Sequence, residues 1–246
     1  MTKARAGKVV GLRRAVGWLL MGALLMGGCA GLMRPSEERM EAERRALEAQ
    51  SAAESHAAFR QAEGWKRKVY RNDGLLQDES AGRLHLQVSL REQRGFVMRG
   101  DLVAVEFPIA TGKRGYGTPP GRYTVIDKKL QHSSNLYGNV YDGEGNKLST
   151  ENRSAVPEGG RFVGASMPYW MRLTNTGIGF HVGNVPGHPA SHGCLRMTRE
   201  AAPVVYGNTP VGTPVFIGQD APVPMVVALG EKEPEAVAVA EGGAAM

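Results

Sequence analysis

The sequence predicts a mainly β fold: a sandwich or barrel-like domain with a short helix near its end, preceded by a helical spacer. Three observations support this. The 246 residues include 33 glycines and 14 prolines, a composition that favours many turns between short strands. Several short runs alternate apolar and polar residues with the period of two expected of a half-buried strand. One stretch ahead of them, residues 34–63, lacks glycine and is rich in Ala, Glu and Arg.

The chain opens on five basic residues, Lys3, Arg5, Lys8, Arg13 and Arg14, with no acid before Glu37. An apolar run, AVGWLLMGALLMGG, follows over residues 15–28. It is short of the roughly 20 apolar residues that a membrane span needs. A basic start, a short apolar run and small residues at its end form an export signal over residues 1–28. The run stops at MGGC, residues 26–29, which resembles the bacterial lipobox, whose cysteine is lipidated after cleavage. An ordinary signal with a coincidental cysteine is the alternative. Acyl chains on Cys29 would hold the protein on a membrane without spanning it. Ala30, in place of an acid, points to the outer membrane by resemblance to sorting in diderm bacteria, and so to a periplasmic location. The formal charge of +6 belongs to this leader: without residues 1–28, Lys+Arg falls to 25 against 24 acids. A nucleic-acid partner therefore loses its support.

Residues 29–64 are expected to form the spacer. Pro35-Ser36 suits a helix start and Glu41–Arg45 a favourable i,i+4 pair. Met40, Leu47 and Phe59 make no sustained seam, so a solvated helix fits better than a coiled coil. Thirty helical residues would reach roughly 45 Å.

A β domain is expected from about residue 84. LHLQVSL alternates Leu84, Leu86, Val88 and Leu90 with polar positions. LVAVEFPIA, the turn TGKRGYGTPPG and the strand RYTVI follow. Residues 131–165 break the rhythm, with YDGEGNK as a hairpin tip; a long irregular segment inside a domain is usually functional or disordered. RLTNTGIGFHV returns to strand character. TREAAPVVYGN reads as a short helix with Thr198 as N-cap, despite Pro203. GTPVFI closes the domain, its Pro214 suited to an edge strand. Residues 219–246, rich in Pro, Ala, Glu and Gly, are expected to be disordered.

One stretch, GFHVGNVPGHPASHGCLRM (179–197), holds three of the six histidines and the second of two cysteines. In IGFHV, Ile178, Phe180 and Val182 fall on one face, and Gly179, His181 and Gly183 on the other. Two flanking glycines leave open space around the imidazole. If Cys29 is lipidated, Cys194 has no disulfide partner in an oxidising compartment; it is either buried and inert or kept for chemistry. A nucleophilic cysteine needs a base or a positive charge that lowers its pKa, and N–H groups aimed at the oxyanion. Gly193 lets the chain turn sharply beside it. His181 suits the base and Arg196 suits a carboxylate clamp. Zinc is the rival, with His181, His188, His192 and Cys194 as four ligands, although the spacing matches no common zinc pattern.

The same stretch resembles the signature of the YkuD-type L,D-transpeptidase catalytic domain: a strand histidine, a loop, then Ser/Thr-His-Gly-Cys and an apolar residue before Arg or Asn. The resemblance extends to QVSLREQRGFVMRGDLVAVEFPIATGKRGYGTPPGRYTV, to SNLYG and to MPYWMRLTNTGIGFH, and so covers about residues 84–217. It implies a YkuD-type fold and a peptidoglycan transpeptidase. Cys194 would attack the bond between the L-centre of a stem's diamino acid and the terminal D-Ala, and form a thioester. His181 would be the base. His192, Gly193 and Cys194 would form the oxyanion hole, with Ser191 and His192 in support. Arg196 would hold a substrate carboxylate, and segment 131–165 would cap the site. Neither metal nor cofactor is implied; the partners are peptidoglycan stem peptides and a membrane reached through the lipid. Val182 stands where some members carry a small polar residue, which matters little if its carbonyl orients the imidazole. Nine residues separate His181 from Ser191, as in the short-loop members, so the acceptor cannot be inferred from long-loop enzymes. The rival readings are a carboxypeptidase or hydrolase with the same dyad, a wall-binding lipoprotein without turnover, and a sortase-like enzyme, which the close His–Cys spacing disfavours.

Overall fold

The computed structural model describes residues 36–222. The expectations for the leader, for Cys29 and for the tail beyond residue 222 lie outside them. The chain divides after Met40, and the unit from Glu41 onward holds the sheets and the site.

Helix α1 (Glu37–Gln61) forms from the glycine-free stretch. Its first half is exposed and bears the pairs Glu41–Arg45 and Arg44–Glu48. A wholly solvated helix was the expectation, but the second half is docked. Ala52 and His56 are buried, and Phe59 packs on a small cluster of Tyr70, Phe96, Met98 and Val103. The fastening is polar. Glu106, fully buried, accepts from His56 Nε2 at 2.5 Å, Arg60 Nε at 3.0 Å and Arg94 Nε at 2.8 Å. Burial by itself would raise this carboxyl; the bonds from His56 and Arg60 and the charge of Arg94 instead hold it at about 2. No apolar seam announces this contact, because histidine and arginine make it.

Next come β1 (Tyr70–Arg71) and the one-turn α2 (Asp73–Gln77), whose N-cap Asn72 accepts from Leu75 N at 3.0 Å. The domain is mainly β, as expected. Its strands are β2 (Leu84–Ser89), β3 (Arg94–Arg99), β4 (Leu102–Ala110), β5 (Gly121–Thr124) and β6 (Asp127–Lys129), then β7 (Ser133–Tyr141), β8 (Lys147–Asn152) and β9 (Arg161–Ser166), and finally β10 (Trp170–Arg172), β11 (Gly179–Val182) and β12 (Leu195–Met197). Helix α3 (Ala201–Asn208) and β13 (Pro214–Gly218) complete it. The curled main sheet runs β5-β13-β2-β3-β4-β12-β11-β10-β6, with β1 also on β4. Pairing is parallel for β2 with β13 and for β11 with β12, and antiparallel elsewhere.

β13 is not an edge strand: it lies between β5 and β2. Pro214 is tolerated because it is the first residue of the strand, where the lost N–H costs least. α3 starts later than expected: its N-cap is Glu200, without a side-chain cap bond, although Thr198 Oγ1 still accepts from Ala201 N at 3.2 Å, and Pro203 fits because it lies in the first turn. Segment 133–166 is not irregular. It forms a second sheet, β8-β7-β9, with the hairpin tip where YDGEGNK predicts it. Asp142 Oδ1 accepts there from Glu144 N and Asn146 N. Beyond Gly218 the chain stays attached for a few residues, with Ser89 Oγ donating to Gln219 O and Arg91 paired to Asp220.

The core lies between the sheet and α3. Leu86, Phe107, Ile109, Phe180, Leu195 and Met197 are fully buried against Ala201, Ala202 and Val205. Each large side chain so removed from water is worth about 1.5–3 kcal/mol. This packing fixes β4, β12, β11 and β10 side by side, and those four strands position the site.

Candidate active site

β11 carries His181, and β12 follows Cys194 directly. The two strands are parallel neighbours, and His181 stands beside Arg196 in their register. The space around His181 is not open, as expected from its flanking glycines. It is filled from both sides: a Cβ at Gly179 would meet Trp170 Cη2 at 2.7 Å, and one at Gly183 would meet Arg196 Cδ at 2.8 Å. The glycines admit an indole and a guanidinium stem against the strand. His181 is therefore only 8% exposed.

His181 Nδ1 lies 2.8 Å from Val182 O. A carbonyl can only accept, so Nδ1 carries the proton and Nε2 keeps its lone pair. Burial pushes the imidazole pKa down to about 4; Arg196 and His132 act in the same direction, and the Val182 carbonyl opposes them. The ring is neutral at ordinary pH. Cys194 is half-buried, and its thiol donates to Gly177 O at 3.5 Å. Burial raises the thiol pKa, and the Gly179 N–H and Arg196 offset only part of the rise. A lowered thiol pKa was the expectation; the desolvation of sulfur outweighs the nearby cation. The resting pair is a thiol and a neutral imidazole.

The turn that holds Cys194 is clamped from behind. Ser191, 1% exposed, donates through Oγ to Cys194 O at 2.6 Å and accepts there from Gly193 N at 3.1 Å. Its backbone bonds Thr111 O and Lys113 N. Gly193 has φ 115°, a conformation that L side chains rarely adopt. Its carbonyl accepts from Thr118 Oγ1 at 2.8 Å, and that threonine hydroxyl in turn accepts from Gly112 N at 2.9 Å. Gly112 is needed because a Cβ there would strike Tyr116 O. Thr118 did not stand out as a site residue, although it lies in the TPPG turn. Since the Ser191 hydroxyl holds the Gly193 N–H, Gly193 serves chiefly to shape the turn.

His192 is exposed, yet it is gripped by two rings. Tyr137 of β7 stacks on it at 4.5 Å and Tyr116 meets it edge-on at 4.6 Å. The second sheet thus touches the turn next to Cys194. Cys194, His181, His192, Ser191 and Arg196 line one cavity of about 420 Å³, walled also by β10 and by residues 134–137. His188 does not join them; it is exposed, with Nδ1 facing Pro189 O. Among the described residues no group of three His, Cys, Asp or Glu is assembled to hold a metal ion, so the four-ligand zinc alternative has no site there. A larger open groove of about 720 Å³, between α1 and residues 72–81, contains no histidine or cysteine.

A thiol on a rigid turn and a neutral imidazole with one free nitrogen thus line a single cavity. The family model of the YkuD L,D-transpeptidase catalytic domain matches residues 83–217, more than half of the chain, and the protein belongs to that family. A curated relative, probable L,D-transpeptidase 3 of Mycobacterium tuberculosis H37Rv, is 30% identical over 120 residues, which is 45% of this chain and 37% of that protein. The chain thus spans less than two fifths of that relative's length. Among solved structures, an L,D-transpeptidase from Mycobacterium smegmatis is similar with a TM-score of 0.42 and 19% identity, over 55% of this chain and 58% of that one. An L,D-transpeptidase from Xylanimonas cellulosilytica is similar with a TM-score of 0.43 and 19% identity, over 57% and 63%.

Proposed function

We propose that the protein is a peptidoglycan L,D-transpeptidase that works through a thioester on Cys194. The observation that carries this reading is the His181 tautomer: Nδ1–H is committed to Val182 O, so Nε2 is free to take a proton in the cavity that Cys194 lines. As the sulfur attacks the carbonyl of the stem's diamino acid, the thiol proton passes to Nε2. The oxyanion is met by backbone N–H groups of the 192–194 turn, chiefly those of His192 and Cys194. Collapse expels D-Ala, whose amine takes the proton back from the imidazolium. An amine acceptor then attacks the thioester, gives its proton to Nε2, and the thiol is restored. General-base assistance of this kind contributes about 10²–10⁴-fold. A preformed thiolate is not required, because the proton moves during attack. Arg196 supplies charge for a substrate carboxylate.

The setting is part of the same proposal. Residues 1–28 direct export, Cys29 is lipidated, and the protein sits in the periplasm on the outer membrane. Residues 29–64 act as spacer, ahead of the catalytic domain over 84–217. With the second half of α1 docked, the exposed helix adds only about 20 Å of reach. Cys29→Ala should move the protein from the membrane to the soluble fraction or leave its leader uncleaved; a processed mutant that still sediments with membranes would refute the anchor.

Purified protein incubated with a disaccharide-tetrapeptide should release D-Ala and form dimers or amine adducts, and Cys194→Ala should do neither. Release to water alone would make the enzyme a carboxypeptidase. Binding without release would favour a wall-binding lipoprotein.

A further inference from the structure

We propose that β10 carries a second anion subsite, formed by Trp170 Nε1 and the Arg172 guanidinium, which receives the free side-chain carboxylate of the stem's diamino acid. Trp170 and Arg172 occupy alternate positions of one strand and so share a face, while Met171 between them is buried in the core. Both line the cavity that contains Cys194 and His181.

Each brings an unmet donor. Trp170 is 1% exposed and its indole N–H has no acceptor. Arg172 Nε is also buried without an acceptor. Among the described residues the remaining buried side-chain nitrogen in this condition is Arg99 Nε, whose guanidinium is tied elsewhere, to Leu76 O and Gly82 O. Buried donors normally find partners, and two orphans on one strand facing one cavity call for a ligand that accepts. Among the described residues no Asp or Glu lines that cavity. Asp127 stands opposite Arg172 in the β6–β10 register, but its carboxylate pairs with Lys129 at 3.6 Å. His132 stacks on Trp170 at 4.9 Å and faces the same field: burial first, then Lys129 and Arg172, keep it neutral.

A carboxylate supplies the acceptors that both donors lack, and a bidentate hold on a guanidinium is its strongest protein contact. The inference rests on the acyl-transfer reading. A tetrapeptide whose third residue is an acidic diamino acid carries two carboxylates near the scissile bond, one on that residue's side chain and one on the terminal D-Ala. Arg196, beside His181 in the register, is then left for the D-Ala carboxylate. The site would thereby distinguish a free side-chain carboxylate from its amide and from lysine.

The test uses the full chain and three synthetic disaccharide-tetrapeptides that differ at the third residue: meso-diaminopimelate, its side-chain amide, and L-lysine. kcat/KM for D-Ala release is read for the wild type, Arg172→Gln, Arg172→Lys and Trp170→Phe. The wild type should favour the free carboxylate by about tenfold or more, the scale of a charge-assisted contact. Arg172→Gln should bring the carboxylate stem down towards the rate of the amide stem, lowering it by a much larger factor than the other two. Arg172→Lys should restore part of the preference, and Trp170→Phe, which keeps the packing, should narrow it. Equal wild-type rates on all three stems would overturn the subsite, as would an equal loss on all three in Arg172→Gln, which would mark Arg172 as structural. Calorimetric binding of the same stems to the Cys194→Ala protein is measured in parallel. If no stem is turned over, the transfer reading fails, while a binding preference for the carboxylate stem, lost on combining Arg172→Gln with Cys194→Ala, still supports the subsite. Equal binding of all three stems overturns it.

Discussion

Thr118 Oγ1 donates to the carbonyl of Gly193 at 2.8 Å, joining positions 75 apart in sequence. The same oxygen accepts from Gly112 N, so one hydroxyl ties the loop after β4 to the turn that presents Cys194. Thr118→Val keeps the shape and removes the hydroxyl. It leaves two backbone groups without their partner and should cost about 1–3 kcal/mol of stability. kcat/KM for D-Ala release should fall about tenfold, because a nucleophile displaced by a fraction of an ångström attacks poorly. Thr118→Ser should retain most of both. Denaturant titration and steady-state rates on the two variants check this.

The neutral resting pair has a pH signature. The imidazole is held at about 4 and the thiol is raised by burial. Alkylation of Cys194 by iodoacetamide should rise with pH through the neutral range, tracking a small thiolate fraction, with no plateau at pH 5–7. A plateau there would reveal a preformed thiolate–imidazolium pair. For kcat/KM the base stays unprotonated down to about 4, so the acid limb should fall well below pH 6. The effect on stability follows the same sign: the folded state disfavours His181 protonation, so this contribution is intact above the ordinary histidine value and is lost as pH falls towards 4.

Glu106 links α1 to the sheet. Glu106→Gln removes the charge that Arg94 and Arg60 face in a buried place, and should destabilise the protein by about 3 kcal/mol at pH 7. The carboxyl is at about 2 in the folded protein against an ordinary 4.5. Its contribution is therefore complete above 4.5 and is lost as pH falls towards 2. Thermal melts of wild type and variant should differ most near neutrality and converge below pH 3. A constant gap across that range would contradict the staple.

Tyr137 reaches from the second sheet to stack on His192, next to the nucleophile. An aromatic pair of this kind is worth about 0.5–1.5 kcal/mol. Tyr137→Ala should raise KM for the stem about threefold to tenfold, while the rate of Cys194 alkylation by a small reagent changes little. Shortening the β7–β8 hairpin within 140–150 should act the same way. Equal loss of both readouts would make the sheet structural.

β2 and β4 are legible in the sequence because one face of each is apolar and the period of two survives. The second sheet is not legible. Residues such as Ser133, Asn135 and Leu136 are exposed, so β7 shows no clean alternation over its first half. β6, β10 and β12 are three residues long, too short for any period to show. Cys194 and His181 stand out as a pair because a glycine-flanked histidine and SHGC form a local pattern. Thr118, Trp170 and Tyr137 do not, since what matters about them is a contact across the fold. The direction of the thiol shift is hidden for the same reason: burial of the site comes from Trp170 and Arg196 packing over Gly179 and Gly183.

The most direct test is the intact mass of the protein mixed with a disaccharide-tetrapeptide and quenched in acid. The expected result is an adduct equal to the stem less D-Ala, mapped to Cys194, removed by hydroxylamine, and absent in Cys194→Ala. It should be strongly reduced in His181→Gln. D-Ala released with no such adduct at any time, or an adduct that forms equally well without His181, would contradict a thioester formed with His181 as base.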